Sequence, residues 1–82
     1  MNEQSDLKLF PNPSSSVFNL SSSFTGLEKI NIRVLDLQGR TILQFIKAPK
    51  QPIVFGNELN PGTYMLEVTQ GKKIKTTRFI KL

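Results

Sequence analysis

Two carboxylates, Asp36 and Glu67, are the side chains of this sequence that come nearest to a catalytic or metal-binding pair. A pair of carboxylates could do acid–base chemistry or hold calcium. Asp36 is already explained as a turn residue, and the single carboxylate that is left does not make an oxygen cage. The sequence has no His and no Cys, so the commonest general base, the commonest metal ligand and the thiol nucleophile are all missing. We therefore expect a non-enzymatic domain with no cofactor and no metal.

Positive charge is concentrated toward the end of the sequence. The chain of 82 residues carries eleven Lys and Arg against six Asp and Glu, a net charge of +5. Five of the basic residues lie between positions 72 and 82: Lys72, Lys73, Lys75, Arg78 and Lys81. Such a segment could meet nucleic acid, an anionic lipid surface or an acidic protein, or it could be a solubilising face that keeps a terminal strand from pairing with other chains.

Two of the possible partners find little support in the sequence. Phe79 lies within the basic segment, but no second aromatic residue accompanies it to make a stacking platform for bases, so we expect no nucleic-acid partner. No apolar run approaches the ~20 residues of a membrane-spanning helix, so we expect no membrane insertion.

The elements that must position these residues are β-strands. Alanine occurs once, whereas β-branched and aromatic residues are plentiful, which favours strands over helices. Alternation of apolar and polar residues predicts about seven strands, with a deeply buried one at 41–46 and an edge strand at 52–55. The predicted inward-facing residues are Leu9, Val17, Phe18, Leu20, Ile30, Ile32, Val34, Ile42, Leu59, Tyr64, Leu66, Val68 and Phe79.

Turn signals recur between these strands at short, regular intervals. Asp36 and Gly39 occupy the first and fourth positions of a predicted type I turn, and Pro61-Gly62 the centre of a predicted type II turn. Gln70-Gly71 predicts a tight hairpin. One small all-β domain with this spacing is typical of an antiparallel β-sandwich of immunoglobulin-like type. We assign this domain to residues 7–82 and interpret residues 1–6 as a linker or an expression start.

A rigid corner stands between the first two strands, at Pro11-Asn12-Pro13. Each proline fixes its own φ and lacks an N–H, and Asn12 is pushed toward an extended conformation because a proline follows it. The corner is followed in order by Gly39-Arg40, by Pro61-Gly62-Thr63-Tyr64, by Gly71, and by the basic segment with Arg78 to Lys81.

This series of motifs resembles the type A C-terminal sorting domain of proteins exported by the type IX secretion system of Bacteroidota. The resemblance covers residues 7–82, and it rests on the order and spacing of the motifs rather than on any one of them. One departure is Ser16, where the family often has Gly or Asp; serine also suits a turn. The resemblance implies a seven-stranded immunoglobulin-like sandwich at the end of a larger secreted cargo.

The resemblance also implies a route and a set of partners. The domain would cross the periplasm folded and be recognised by the outer-membrane secretion machinery. A cell-surface sortase would then cut it from the cargo, which ends at the cell surface or outside the cell. The implied signal residues are Pro11, Asn12, Pro13, Gly39, Arg40, Gly62, Tyr64 and Gly71. Most of them also have a structural role, so we expect direct partner contact chiefly at the exposed basic end, at Lys73, Lys75 and Lys81. Arg78 and Phe79 complete the set of candidate partner-binding residues.

Two other classes of function stay open on the sequence. A non-catalytic adhesive or carbohydrate-binding sandwich of a secreted protein usually exposes aromatic residues on one face, whereas this chain has no Trp and one Tyr. An accessory domain of an enzyme is disfavoured because His and Cys are missing. Glycan binding by the isolated domain would favour the adhesive alternative.

Overall fold

The computed structural model describes residues 7–21, 26–49 and 51–82. These residues form a seven-stranded β-sandwich without helices, which confirms the predicted fold class. The strands are β1 (Lys8–Phe10), β2 (Phe18–Ser21), β3 (Ile30–Leu35), β4 (Thr41–Lys47), β5 (Ile53–Phe55), β6 (Gly62–Gln70) and β7 (Lys73–Lys81). No helix long and apolar enough to cross a membrane occurs among the described residues.

The strands form two antiparallel sheets with the orders β1-β2-β5 and β4-β3-β6-β7. Strand β4 follows β3 as a hairpin and therefore lies beside it in the second sheet, whereas the fourth strand of a constant-type immunoglobulin domain lies in the first sheet. The prediction that residues 52–55 form an edge strand is confirmed, because β5 ends the three-stranded sheet.

The core lies between the two sheets and follows the predicted alternation closely in β3 and β6. Ile32, Val34, Leu66 and Val68 are fully buried, and they face the three-stranded sheet while their sequence neighbours face solvent. The predicted set omitted three residues of the buried cluster, Leu7, Ile53 and Phe55. Of the residues it included, Leu9 is partly buried against the cluster and Val17 is half-buried.

Strand β4 is where the sequence prediction was wrong. Residues 41–46 were expected to be deeply buried, with Ile42 facing inward, but β4 is an edge strand and Ile42 is 46% exposed. Leu43 and Phe45 are the side chains that pack against the core. Because residues 42–46 are apolar on both faces apart from Gln44, alternation could not tell which face points inward, and a β-bulge near Ile42 shifts the register further.

Two of the three predicted turns are present. The N–H of Gly39 donates to the carbonyl of Asp36 at 3.0 Å, as a type I turn requires. Gln70 pairs with Lys73, which leaves a two-residue hairpin with Gly71 at φ +60°. Gly62 is the exception, because its φ of +156° differs from the value near +80° that a type II turn needs. It pairs with Lys81 instead, as the first residue of β6.

Candidate functional site

The strand registers place most of the predicted signal residues at one end of the sandwich. Residue Leu35 pairs with Met65, Met65 with Arg78, and Gly62 with Lys81, so the turn after β3, the start of β6 and the end of β7 lie side by side. Phe10 pairs with Asn19 and Phe18 with Phe55, which brings the corner after β1 and the loop after β5 to the same end. We call this end, formed by residues 11–17, 36–40, 56–62 and 79–82, the motif end.

Gly71 does not share this position. Its hairpin lies at the opposite end of the four-stranded sheet, next to residues 26–29. We call residues 26–29 together with 70–73 the hairpin end. Six of the eight predicted signal residues therefore lie at the motif end, Tyr64 follows two residues behind it in β6, and Gly71 is the one that stands apart.

The proline corner is hydrogen-bonded to the last strand. Asn12 Oδ1 accepts the N–H of Ile80 at 3.1 Å, and the N–H of Ser14 donates to the Ile80 carbonyl at 3.3 Å. The N–H of Leu82 donates to the Ser14 carbonyl at 2.8 Å, so Ser14 and Lys81 form a short parallel bridge. The Ser14 hydroxyl shapes the corner itself by donating to the Val17 carbonyl at 2.8 Å. The corner thus pairs with the edge of β7 as a strand would.

Lys81 is the most unexpected residue of the motif end. Sequence reasoning placed it on an exposed basic face, but it is 5% exposed, because odd-numbered residues of β7 point toward the other sheet. Its Nζ donates to the carbonyl of Ser16 at 2.8 Å, to that of Asn57 at 3.4 Å, and to that of Gly56. A buried ammonium is tolerated only where its donors are satisfied, and here they join the loops after β1 and β5 to the end of β7.

Phe79 also lies inside rather than on the surface, with 1% of its area exposed. Its ring lies 4.8 Å from that of Phe18 in an edge-to-face contact and 5.6 Å from the ring of Tyr64 in a stacked contact. The predicted inward orientation of Phe79 is therefore confirmed, whereas the expectation that Lys81 belongs to an exposed basic end is wrong. Of the other basic residues of β7, Lys73 and Arg78 are exposed and Lys75 is half-buried. The basic surface of β7 is therefore formed by these three residues and does not include Lys81.

Tyr64 is a buried residue, as predicted, and its hydroxyl is bound as well. The hydroxyl donates to the carbonyl of Asn60, four residues earlier in the sequence, at 2.6 Å. This contact is the tyrosine corner of immunoglobulin-like sandwiches, in which a tyrosine near the start of this strand holds the preceding loop. The contact ties the loop at Asn60 to β6.

Gly56 is a residue that sequence reasoning missed. It has φ +104°, and a Cβ at this position would lie 2.8 Å from a ring carbon of Phe18, so only glycine fits without strain. Its carbonyl accepts the N–H of Leu59 at 3.0 Å in addition to Lys81 Nζ. A glycine directly after a short apolar strand was the available signal, but nothing in the sequence indicated that its carbonyl faces Lys81.

Gly39 and Arg40 occupy the exposed turn at the motif end. Asp36 Oδ1 accepts the N–H groups of Gln38 and Arg40, both at 2.9 Å, and Arg40 Nε lies 2.7 Å from Asp36 Oδ2. The hydrogen bond from the Arg40 backbone lowers the pKa of Asp36, with the Arg40 side chain and the Gln38 N–H acting in the same direction. The carboxylate is thereby used to hold the turn.

Asp36 and Glu67, the carboxylates singled out from the sequence, do not form a pair in the structure. Asp36 is engaged with Arg40, and Glu67 Oε1 with Arg33 Nε at 2.8 Å, so the two carboxylates considered above serve separate ion pairs. No group of three His, Cys, Asp or Glu side chains lies close enough to hold a metal among residues 7–21, 26–49 and 51–82. What the motif end provides is a protein surface made of four chain segments.

A comparison with protein families identifies the chain. The family model for the secretion system C-terminal sorting domain matches residues 8–82. The chain belongs to this family. It is a sorting domain of the type IX secretion system, which exports proteins across the outer membrane of Bacteroidota. No curated protein sequence matches the chain.

Proposed function

We propose that this sorting domain is the export signal of a larger cargo protein joined to its N-terminal side, with residues 1–6 as the linker. It crosses the periplasm folded, is recognised by the outer-membrane machinery, and is then removed by a cell-surface sortase. The cargo is released or kept at the cell surface. The domain itself is non-catalytic and needs no cofactor.

The observation that carries this proposal is the joining of the proline corner to β7. Asn12 and Ile80 are 68 positions apart, yet a hydrogen bond connects them, and Lys81 adds bonds to the loops after β1 and β5. A surface assembled in this way exists only in the folded domain. An export machine that reads it would accept folded sorting domains and reject unfolded chains.

The exposed part of β7 is the proposed contact region. Arg78 and Lys73 are exposed basic side chains, and Ile80 and Leu82, beside the proline corner, are 42% and 61% exposed. Basic side chains next to exposed apolar ones suit a protein partner with an acidic rim, because charges set specificity while apolar contact supplies affinity. Phe79 and Lys81 would act indirectly, by holding β7 in place.

The proposal can be tested by fusing residues 1–82 to the C-terminal end of an inert periplasmic reporter in a bacterium with a functional type IX system. We expect the reporter in the medium or on the cell surface, and its retention in the periplasm when the translocon is inactivated. Retention in both strains would contradict the proposal, and glycan binding by the purified domain would then support an adhesive module.

Matched variants separate recognition from folding in the same assay. Reversing the charge of Arg78 in Arg78→Glu should lower export by about tenfold, since a misplaced charge at an interface costs more than 1.4 kcal/mol. Lys8→Glu makes the same change at an exposed position of β1 and should export normally. Thermal unfolding of both purified variants should match the unmodified domain. Equal export of the two variants would remove Arg78 from the contact region.

A further inference from the structure

No described strand pairs with the outer edge of β4, and the composition of β4 is that of an interior strand. Ile42 is 46% exposed and Ile46 61% exposed on the outer face of the sheet. On the inner face, Leu43 and Phe45 are only partly buried and line an open groove of about 410 Å³ between β4 and β5. Edge strands of stable monomers are usually short or charged, whereas β4 has seven residues and a single charge, at Lys47.

The other three edges of the sandwich differ from β4. Strands β1 and β5 have three residues each. Strand β7 carries several basic residues, and Asn12 and Ser14 cover its last residues. Among the described strands, β4 is therefore the one with an unpaired, apolar edge that is long enough to pair with another strand.

The backbone groups that point away from the sheet can be assigned from the pairing pattern. Both backbone groups of Ile80 bond to the proline corner rather than to β6, which makes Ile80 and Thr63 a non-hydrogen-bonded pair. Pair types alternate along an antiparallel ladder. Carried through β6 and β3, this alternation directs the N–H and C=O groups of Leu43 and Phe45 toward β3. Those of Gln44 and Ile46 point out of the open edge.

The sequence of β4 is nearly palindromic around Gln44. It reads Ile42, Leu43, Gln44, Phe45, Ile46, so a second copy running antiparallel, with Gln44 opposite Gln44, places Ile42 opposite Ile46 and Leu43 opposite Phe45. Each apolar residue thus meets an apolar residue on the same face of the joined sheet. The outward N–H and C=O groups of the two Gln44 residues exchange hydrogen bonds across the two-fold axis.

Charge placement agrees with this register. In a molecule of net charge +5, self-association is opposed by repulsion, so the register has to keep like charges apart. With Gln44 on the axis, Lys47 lies opposite Thr41 of the second copy. The two Lys47 residues are then about 20 Å apart along the strands, well beyond the screening length of about 8 Å in physiological salt.

We propose that β4 is a homodimer interface, at which two copies of the domain join their four-stranded sheets into one eight-stranded sheet. The interface is separate from the proposed contact region on β7, because β4 and β7 are the opposite edges of the sheet. Since it consists of one strand and a shallow groove, we expect weak association, with a Kd on the order of 0.1–1 mM.

Sedimentation of the purified domain over about 0.02–2 mM, a range that spans this Kd, is the first test. We expect a concentration-dependent shift from monomer to dimer, and its loss in Ile46→Lys. The control is Ile74→Lys on β7, since Ile74 and Ile46 are both 61% exposed. It should dimerise as the unmodified domain does, and circular dichroism should show that both variants fold. A monomer at every concentration, or equal effects of the two substitutions, would overturn the proposal.

Disulfide trapping tests the register. Because the chain has no cysteine of its own, a disulfide can form only at the cysteine that is introduced. Paired residues in a hydrogen-bonded position have Cα atoms about 5.5 Å apart, within the range that a disulfide spans. Gln44→Cys should form a covalent dimer under mild oxidation at least about tenfold faster than Thr76→Cys, which places a thiol on the edge strand β7. Equal rates, or faster trapping at position 76, would contradict pairing through β4.

Discussion

At each end of the sandwich, one buried polar side chain forms hydrogen bonds to the backbone of neighbouring loops, but the two side chains differ in their chemistry. At the motif end the buried ammonium of Lys81 donates to carbonyls of Ser16, Gly56 and Asn57. At the hairpin end the amide of Gln70, which is 3% exposed, accepts the N–H of Gly26 and donates to the carbonyls of Gly26 and Glu28. In each case a polar side chain at the end of a long strand holds neighbouring loops against that strand.

The difference between the ends lies in charge and in what is joined. Lys81 can only donate, so it gathers carbonyls from two separate loops, and its charge makes each bond stronger. Gln70 both accepts and donates, so it can bond to the N–H and C=O groups of one loop, as the backbone of a neighbouring strand would. We infer that the motif end depends more heavily on its single side chain than the hairpin end does, and the following substitutions test this difference.

Replacing Lys81 should have the largest effect. Lys81→Met keeps the aliphatic chain but removes the ammonium, which leaves buried carbonyls without their donor, and we expect the free energy of unfolding to fall by about 3 kcal/mol. Urea unfolding measures the change. The control Lys73→Met alters an exposed residue at the other end of β7 and should change stability by less than about 0.5 kcal/mol. Similar losses in the two variants would show that the hydrogen bonds of the Lys81 ammonium contribute nothing to stability.

Replacing Gln70 should have an intermediate effect. Gln70→Leu conserves much of the volume but removes three hydrogen bonds to residues 26–28, and we expect a loss of about 2 kcal/mol, because the released backbone groups lie near solvent and regain water. Gln38→Leu, in an exposed turn, is the matched control in urea unfolding. A larger loss for Gln70→Leu than for Lys81→Met would reverse the order of the two ends.

Replacing Asn12 should have a smaller and local effect at the motif end. Asn12→Ala removes the acceptor of the Ile80 N–H, worth about 1 kcal/mol, so hydrogen exchange of the Ile80 amide should become about fivefold faster. Asn57→Ala removes another exposed asparagine side chain from the same end while leaving the carbonyl that binds Lys81. Protection of Ile80 that is unchanged in Asn12→Ala would mean that Ser14 alone holds the corner.

Acid should weaken the motif end slightly and leave the Gln70 contacts unaffected. Hydrogen bonds lower the pKa of Asp36 in the folded protein, so the unfolded chain binds this proton more readily. The stabilisation is present above the ordinary pKa of about 3.9 and is lost as pH falls below it. The advantage of the unmodified domain over Asp36→Asn should therefore shrink between about pH 7 and about pH 3.

Urea unfolding at several pH values measures this advantage directly. The stability difference caused by Gln70→Leu serves as the internal comparison, because an amide does not titrate in this range. An Asp36→Asn difference that stays constant with pH would show that the carboxylate contributes no charge-dependent stability.

Much of the fold was predictable because it rests on local patterns. Alternation in β3 and β6 predicts their buried faces, since side chains on a strand point to opposite sides in turn. Asp36 and Gly39 predict their turn because an aspartate side chain accepts hydrogen bonds from backbone N–H groups a few residues later in the chain. Strand β4 was predicted wrongly because it is apolar on both faces, so the alternation of apolar and polar residues does not show which face is buried. Neither its edge position nor the exposure of Ile42 could therefore be inferred.

Local patterns in the chain are enough to predict the strands, most of the turns, the all-β class and the order of motifs that leads to the sorting-domain family. The tertiary structure decided which motifs meet. Lys81 looks like one more lysine in a basic segment, and only the pairing of Gly62 with Lys81 and the approach of the Gly56 loop turn it inward. The physical reason is that contacts between residues 25 or 68 positions apart depend on how two sheets are stacked, and no local preference of the chain encodes that stacking.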